Sequence, residues 1–218
     1  MIKRYIDAGT TWTKVLEIQN GIKEYKVIPT AEFRKLNLEF EKSTGHSLEK
    51  IKGKYENEVV ALSYGAKKYL EDDFVALDLG SRDIKYVKFQ NKKFKDMDWN
   101  ATCASATGAT VEMLLKFYNV DVKNLSYNPE KYAVTCGIFG LEKIMDDVSK
   151  GINPEIAIAK FIHGLAFNAF NFTKNPERIC ISGGFCENEC FIESLKQYCE
   201  VVSLGRFVLV DGLVEINH

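Results

Sequence analysis

Apolar and polar residues follow the same layout in two separate segments of the chain. Residues 6–18 read IDAGTTWTKVLEI and residues 77–89 read LDLGSRDIKYVKF. In each, an apolar run leads into an aspartate, a glycine follows two positions later, and a second apolar run surrounds a lysine, which indicates a strand, a turn and a strand. Three positions recur at a constant offset of 71 residues: Asp7, Gly9 and Lys14 return as Asp78, Gly80 and Lys85.

The repeated unit has the composition of a phosphate-binding turn. A glycine two residues after an aspartate lets the backbone turn sharply and brings N–H groups within reach of phosphate oxygens. The aspartate can hold magnesium through water or orient the water that attacks a γ-phosphate. A single turn of this kind is also typical of an ordinary hairpin. Two matched copies in one chain favour the phosphate-binding interpretation.

A third segment, ICISGGFCEN at residues 179–188, predicts a strand that ends in a glycine pair before a helix. Gly183 and Gly184 would let adenine or ribose lie against the backbone, although a tight strand-to-helix turn explains the pair as well. Two phosphate hairpins followed by a glycine pair resemble the actin, sugar-kinase and heat-shock-chaperone superfold. That resemblance implies an α/β protein with two ribonuclease-H-like domains, each a mixed sheet flanked by helices. We place the domains at residues 1–75 and 76–218.

Helical periodicity predicts three helices between the second hairpin and the glycine pair. Apolar residues recur at helical spacing after residue 108 and again over residues 138–148, and Gly151 is expected to cap the second of these helices at its C-terminus. The stretch from Pro154 is apolar nearly all round and predicts a core helix, with His163 packed inside it. The C-terminal segment RFVLVDGLVEINH reads as a strand.

Six cysteines in a chain of this size that is expected to be cytosolic argue against a disulfide framework, and no CxxC pair indicates a zinc site. Cys180 lies in an apolar run and is expected to be a buried strand residue, and Cys186 with Cys190 is only a weak candidate metal pair. Cys103 and Cys136 each precede a predicted helix, whose dipole favours a thiolate. A reactive nucleophile or an iron-sulfur ligand fits this setting.

Neither alternative is complete within one chain. A cysteine nucleophile needs a histidine base, and no motif supplies one. Two ligands are too few for a four-iron cluster, but two chains around a two-fold axis would provide four. Small residues around Cys103, in NATCASATGATVE, would also suit a loop that binds phosphate, although the repeated hairpins fill that function better.

The segments NATCASATGATVEMLL and TCGIFGLEKIMDDVSKGINPEIAIAKFIHGLAFNAF resemble the BadF/BadG/BcrA/BcrD-type ATPases, the activators of 2-hydroxyacyl-CoA dehydratases and benzoyl-CoA reductases. The resemblance implies a homodimer with one 4Fe-4S cluster at its interface, ligated by Cys103 and Cys136 of each subunit. It also implies ATP and Mg²⁺ as cofactors and an iron-sulfur dehydratase or reductase as the partner enzyme. ATP hydrolysis would drive the transfer of one low-potential electron to that partner.

The resemblance assigns functions to the hairpin residues. Asp7 and Asp78 would act in catalysis by managing magnesium and water. The predicted nucleotide-binding residues are Gly9, Thr10, Thr11, Lys14, Gly80, Ser81, Arg82, Asp83, Gly183 and Gly184. This chain departs from the family pattern at Ala106, Ser81 and Arg82, and its first domain and C-terminus are trimmed relative to the family. Arg82 adds a positive charge near the phosphates but removes an amide that would position water.

Composition narrows the function classes. A net charge of −1 with interspersed signs supplies no broad phosphate-neutralising surface, so we expect no nucleic-acid partner. No apolar run has the length of a membrane span or signal peptide, so we expect a cytoplasmic protein without a membrane partner. Two other functions stay open: a small-molecule kinase with Asp83 or Asp78 as the base, and a catalytically degenerate nucleotide-binding partner protein.

Overall fold

Ten strands form two mixed sheets in the computed structural model, which describes residues 2–46, 54–70, 73–100, 107–134 and 137–217. The first sheet has the order β3-β2-β1-β4-β5 and consists of β1 (Lys3–Ala8), β2 (Trp12–Gln19), β3 (Ile22–Pro29), β4 (Lys42–Thr44) and β5 (Lys54–Tyr55). The second has the order β10-β9-β6-β7-β8 and consists of β6 (Phe74–Leu79), β7 (Ile84–Gln90), β8 (Lys93–Asn100), β9 (Arg178–Gly183) and β10 (Glu200–Gly205).

Seven α-helices accompany the sheets within the described ranges. They are α1 (Thr30–Phe33), α2 (Glu58–Tyr69), α3 (Gly108–Phe117), α4 (Gly137–Ser149), α5 (Pro154–Phe172), α6 (Glu189–Leu195) and α7 (Val208–Glu215). The three helices predicted between the second hairpin and the glycine pair are α3, α4 and α5. Asn153 caps α5 by accepting a hydrogen bond from the N–H of Glu155, and Gly151 takes a left-handed conformation after α4.

The two sheets have the same topology. In each, three consecutive strands form an antiparallel meander. A fourth strand pairs in parallel with the first strand of that meander, and a fifth pairs in parallel with the fourth. The repeat also continues past the residues that revealed it, because Asn20 and Asn91 open the second turn of each meander with positive φ angles of 52° and 51°. The predicted α/β fold with two mixed sheets is therefore confirmed.

Helices cover the second sheet on both faces. The larger core lies between this sheet and α3, α4, α5 and α6, and it includes Phe161 and Ile162 of α5. The opposite face packs against α2 and α7. All six residues of β6 are buried, as expected for a central strand with helices on either side.

The C-terminal segment is a helix, so its prediction as a strand was wrong. Residues 208–213 of α7 are all buried, between α2 and the first sheet, and a segment buried on every side loses the polar face that reveals helical periodicity. Close packing depends on two glycines. A side chain on Gly212 would collide with the carbonyl oxygen of Ala61, and one on Gly65 would collide with that of Val208.

A buried carboxylate fixes α7 in this position. Asp211 accepts hydrogen bonds from the Tyr25 hydroxyl of β3 and the Lys68 ammonium of α2, both at 2.8 Å, and from the Tyr69 hydroxyl. Burial raises the pKa of Asp211, but Lys68 and the two tyrosines more than offset this, so its pKa lies below the ordinary value. Asp211 of α7 thus links β3 of the first sheet to α2.

The domain boundary at residue 75 stays a prediction. All strands of the first sheet precede it, but β6 of the second sheet begins at Phe74 and crosses it, and α7 returns from the C-terminal part to contact β1 and β4 of the first sheet. None of the described helices has the length and apolar character needed to cross a membrane.

We expect Gly212→Val to lower the free energy of unfolding by about 3 kcal/mol, because α7 must move away from α2 to accommodate the side chain. Urea denaturation followed by circular dichroism measures the loss. Gly184→Ala is the matched control, since an added Cβ there meets nothing within 4 Å. Equal stability of both variants would contradict the close helix contact.

Candidate functional site

Each repeated hairpin presents an aspartate and a lysine as cross-strand neighbours. Asp7 of β1 is opposite Lys14 of β2, and the Lys14 Nζ lies 2.9 Å from Asp7 Oδ2. Asp78 of β6 is opposite Lys85 of β7 with 3.1 Å between Nζ and Oδ2. All four side chains are largely buried. The predicted repeat is thus a repeat of one ion-paired structure.

Backbone geometry explains the glycines of the turns. A Cβ at Gly9 would lie 2.8 Å from the Trp12 carbonyl oxygen, so the first turn has no room for a side chain. Gly183 has a φ of +83°, and a Cβ there would lie 2.7 Å from Asp78 Oδ1. Gly184 faces open space. The glycine pair therefore brings bare backbone next to the second aspartate.

Lys85 holds three carboxylates together. Its Nζ lies 2.7 Å from Glu58 Oε2, 3.1 Å from Asp78 Oδ2 and 3.3 Å from Asp83 Oδ2. Glu58 comes from the first turn of α2, where Asn57 caps the helix by accepting from the N–H of Val59. The indole N–H of Trp99 on β8 donates to Asp83 Oδ2 at 2.6 Å. Residues from three separate parts of the chain thus form one charged network.

Burial and neighbouring charges shift the pKa values of this network in opposite senses. Burial alone would lower the pKa of Lys85, but Asp78, Glu58 and Asp83 raise it well above the ordinary value. Burial raises the pKa of Glu58, and although Lys85 opposes this, the pKa stays above the ordinary value. Desolvation would lower the pKa of Lys14, but the charges of Asp7 and Asp78 and the hydrogen bond to Asp7 together raise it above the ordinary value. Both lysines are therefore charged at neutral pH.

A cavity of about 380 Å³ lies between the two hairpins, which is within the range of about 300–1,000 Å³ typical of small-molecule sites. Of the twelve residues predicted for catalysis or nucleotide binding, ten line it: Asp7, Gly9, Thr10, Lys14, Asp78, Gly80, Ser81, Arg82, Asp83 and Gly184. Thr11 and Gly183 are outside the lining. The carbonyl oxygen of Thr11 instead accepts a hydrogen bond from the N–H of Thr30.

The cavity has a charged end and an apolar end. Val111 and Leu115 of α3 contribute apolar surface, with Phe185 near the glycine pair. At the charged end both lysines are already paired with carboxylates, whereas Arg82 is exposed and makes no ion pair among the described residues. A phosphate chain in this cavity would meet Arg82 as its free cation and would need a divalent cation against the carboxylates.

The start of α3 is attached to the second hairpin turn. The N–H groups of Gly108 and Ala109 donate to the carbonyl oxygens of Gly80 and Ser81, at 3.2 and 2.9 Å. The Thr107 hydroxyl also donates to the Ser81 oxygen at 2.6 Å. Because these N–H groups have protein partners, the helix start is not a free anion site. It connects the turn to the segment that precedes α3.

Cys103 and Cys136, the predicted cluster ligands, lie outside the described residues, as does Ala106. The four described cysteines are free thiols. Cys180 is a buried strand residue, as predicted. Burial raises the pKa of Cys186 and Cys190 to about 11, and the two residues belong to different helical segments rather than to one helix face.

His163 is packed in the core, as predicted. Its Nδ1 lies 2.8 Å from the Asn128 carbonyl oxygen and its Nε2 2.8 Å from the Tyr198 hydroxyl. Both ring nitrogens therefore have protein partners.

Four residues of the site were missing from the sequence-based set: His46, Glu58, Lys85 and Trp99. The offset of 71 residues makes Lys85 the counterpart of Lys14, so the repeat could have placed Lys85 in the site. Nothing in the local sequence distinguishes Glu58 from other acidic residues at helix starts. His46 lies in the sequence STGHS, and no site residue was predicted there.

These features define the class of fold. The two sheets have the same topology, and a phosphate-type hairpin from each faces one cavity, which is the arrangement of the actin-like ATPase fold. No family model matches the chain. Its sequence is 26% identical over 175 residues to the (R)-2-hydroxyglutaryl-CoA dehydratase activating ATPase of Acidaminococcus fermentans, covering 75% of this chain and 67% of the relative.

Two solved structures have the same fold. The activator of the 2-hydroxyisocaproyl-CoA dehydratase from Clostridium difficile, with bound ADPNP, superposes with a TM-score of 0.81 at 18% identity over 97% of this chain and 92% of the other. The (R)-2-hydroxyglutaryl-CoA dehydratase component A of A. fermentans gives 0.79 at 19% identity, over 97% and 95%. The resemblance to dehydratase activators noted from the sequence is confirmed.

We expect Lys85→Met to lower the free energy of unfolding by about 3–5 kcal/mol, because three buried carboxylates lose their common cation. The loss should shrink as the pH falls, since Glu58, whose pKa is already raised, then takes up a proton. In the wild type, the stabilisation that Lys85 provides is complete at any pH below its ordinary pKa of about 10.4. Because folding raises this pKa, the stabilisation is lost only as the pH rises above that value.

Urea denaturation between pH 5 and 8, with a chelator present, measures this effect. Lys174→Met is the matched control, because Lys174 forms an exposed ion pair with Asp96 and its loss should change stability little. A Lys85 variant as stable as the control would contradict the network.

Proposed function

We propose that the protein is an ATP-dependent iron-sulfur activator of a 2-hydroxyacyl-CoA dehydratase or a related reductase. The observation that carries the proposal is the cavity between two matched Asp-Lys hairpins, whose second turn is hydrogen-bonded to the start of α3, the helix after Cys103. The relatives named as dehydratase activators, one of them with a bound ATP analogue, support the same function.

ATP would lie with its phosphates between the two turns. Gly9 and Thr10 would contact them from one side, and Ser81 and Arg82 from the other. Asp7 and Asp78 would hold the water shell of Mg²⁺, and their buried carboxylates fit this ion, which prefers oxygen ligands and keeps several waters. The nucleoside would rest on the bare backbone of Gly184 and the apolar side of α3. Thr11 and Gly183 stay predictions, because neither residue lines the cavity.

A 4Fe-4S cluster would be shared by two copies of the chain, each providing Cys103 and Cys136. Support comes from the helices that follow these cysteines. Four large apolar side chains on α3 and α4 are between 57% and 74% exposed: Met113, Phe117, Phe139 and Met145. Exposed large apolar side chains on the two helices that follow the cysteines are typical of an interface, which favours a homodimer.

The coupling between nucleotide and cluster would pass through α3. Its first N–H groups are bonded to the second hairpin turn, and Glu112 in its second turn accepts a hydrogen bond from the Trp12 indole of β2 at 3.2 Å. The helix therefore touches the turns of both hairpins. A change in their separation on ATP binding or hydrolysis would move α3, and with it the preceding cysteine segment, which is the rearrangement that electron transfer to the partner enzyme requires.

We expect Asp7→Ala to lower the rate of Mg²⁺-dependent ATP hydrolysis at least about 100-fold, because the variant cannot hold the water shell of the ion. A coupled phosphate-release assay measures the rate. Binding is followed separately through the fluorescence of Trp12, which lines the cavity. Glu193→Gln, an exposed change outside the cavity, is the control and should hydrolyse ATP like the wild type. Hydrolysis retained in the Asp7 variant would contradict the proposed site.

We expect anaerobically purified protein to be brown and to contain about four irons per dimer. Cys103→Ser should lose the iron and the dimer together, because both depend on the shared cluster, whereas Cys199→Ser should keep them, since burial raises the pKa of that thiol to about 11. Iron analysis and size-exclusion chromatography measure both. A colourless, iron-free protein after cluster reconstitution would reject the activator and leave the kinase or the degenerate nucleotide-binding partner.

A further inference from the structure

Three side chains at the base of the cavity have the composition of a metal site. One ring nitrogen of His46, a Glu58 carboxylate oxygen and an Asp83 carboxylate oxygen all lie within 4.8 Å of one another. We refer to these three residues as the His46 trio. None of them was assigned to magnesium above, which was placed at Asp7 and Asp78.

The fold brings the trio together from both sheets. His46 follows β4 and comes just after Gly45, whose φ of +97° turns the chain against the backbone of Ala8. Glu58 begins α2, and Asp83 ends the turn between β6 and β7. An ion held by the trio would therefore join residues of the first sheet and α2 to the second hairpin.

One oxygen of the trio lacks a hydrogen-bond partner among the described residues. Glu58 is only 5% exposed, and its Oε1 accepts no hydrogen bond, although its Oε2 lies 2.7 Å from the Lys85 Nζ. The His46 Nδ1 lies 3.5 Å from Oε1. A buried carboxylate oxygen without a donor is costly, and here it faces the imidazole and the cavity that both residues line.

Formal charges in this part of the cavity do not balance. Glu58, Asp78 and Asp83 surround Lys85 as their shared cation, which leaves an excess of two negative charges when the carboxylates are ionised. A divalent cation next to Glu58 Oε1 would balance this excess. Lys85 contacts the other oxygen of Glu58, so Oε1 stays available to the ion.

We propose that the His46 trio binds a divalent first-row transition-metal ion, of the Mn²⁺ or Fe²⁺ class, through one imidazole nitrogen and two carboxylates. The donor set argues against Mg²⁺, which is bound mainly by oxygen and water, whereas an imidazole nitrogen favours the transition metals. Ligand atoms about 2.1 Å from one ion lie about 3–4 Å apart, so the trio must contract slightly. His46 can supply that movement, since its side chain is 31% exposed and lies in a connection rather than in a strand or helix.

Binding of Mn²⁺ to nucleotide-free protein stripped with a chelator tests the proposal. We expect electron paramagnetic resonance to show one bound Mn²⁺ per chain in the presence of millimolar Mg²⁺. Pulsed measurements should show coupling to an imidazole nitrogen. His46→Phe should raise the dissociation constant at least about tenfold and abolish the nitrogen coupling. The phenyl ring keeps an aromatic contact with Trp99, whose ring centroid lies 6.1 Å from that of His46, so the variant is expected to fold.

Two controls separate this site from the proposed function. Glu112→Gln removes a carboxylate from the same cavity but not from the trio, and it should bind Mn²⁺ like the wild type. A variant with Cys103→Ser and Cys136→Ser should also bind normally, because the trio does not involve the cluster. Displacement of Mn²⁺ by equimolar Mg²⁺, or a His46→Phe variant with unchanged affinity and nitrogen coupling, would overturn the proposal and leave His46 as an ion-pair partner of Glu58.

Discussion

A buried lysine with three carboxylate partners holds the base of the cavity together. Lys85 joins Glu58 of α2 to Asp78 and Asp83 of the second hairpin, so an element that follows the first sheet is attached to the second. Desolvation of the ammonium is costly, and only several close anions make its charged form favourable. The positions of α2 and of the second hairpin turn are therefore coupled through one side chain.

The two hairpins have the same backbone and ion pair but different surroundings. Lys14 has Asp7 as its close carboxylate partner, whereas Lys85 has three. The first backbone N–H groups of α3 donate to Gly80 and Ser81 of the second turn, whereas the first hairpin contacts α3 through the Trp12 side chain, which donates to Glu112. The second turn is thus attached to α3 through its backbone and the first hairpin through a side chain. The two copies of the repeat thus differ in their contacts, because different residues surround each of them.

Burial separates the cysteines into two groups. The described thiols of Cys180, Cys186, Cys190 and Cys199 all have raised pKa values because apolar side chains surround them. Such thiols are inert core residues. Four of the six cysteines are therefore packing residues, whereas Cys103 and Cys136, which precede α3 and α4 in the sequence, lie outside the described residues and stay predicted cluster ligands.

The sequence by itself determined the parts of the protein that depend on local pattern. The offset of 71 residues predicted both hairpins and their facing aspartates, and helical periodicity predicted α3, α4 and α5, because each signal is complete within a short segment. The glycine pair was also predictable, since the positive φ of Gly183 favours glycine at that position.

Only the tertiary structure decided which distant residues meet. Glu58 and His46 reach Asp83 through the path of β4 and α2 between the sheets, and no spacing in the sequence encodes that meeting. Tertiary packing also made the C-terminal segment a helix, because burial on every side removed the polar face that would have identified it and glycine contact with α2 fixed its place. Local pattern specifies elements, whereas burial and convergence of charge are properties of the assembled fold.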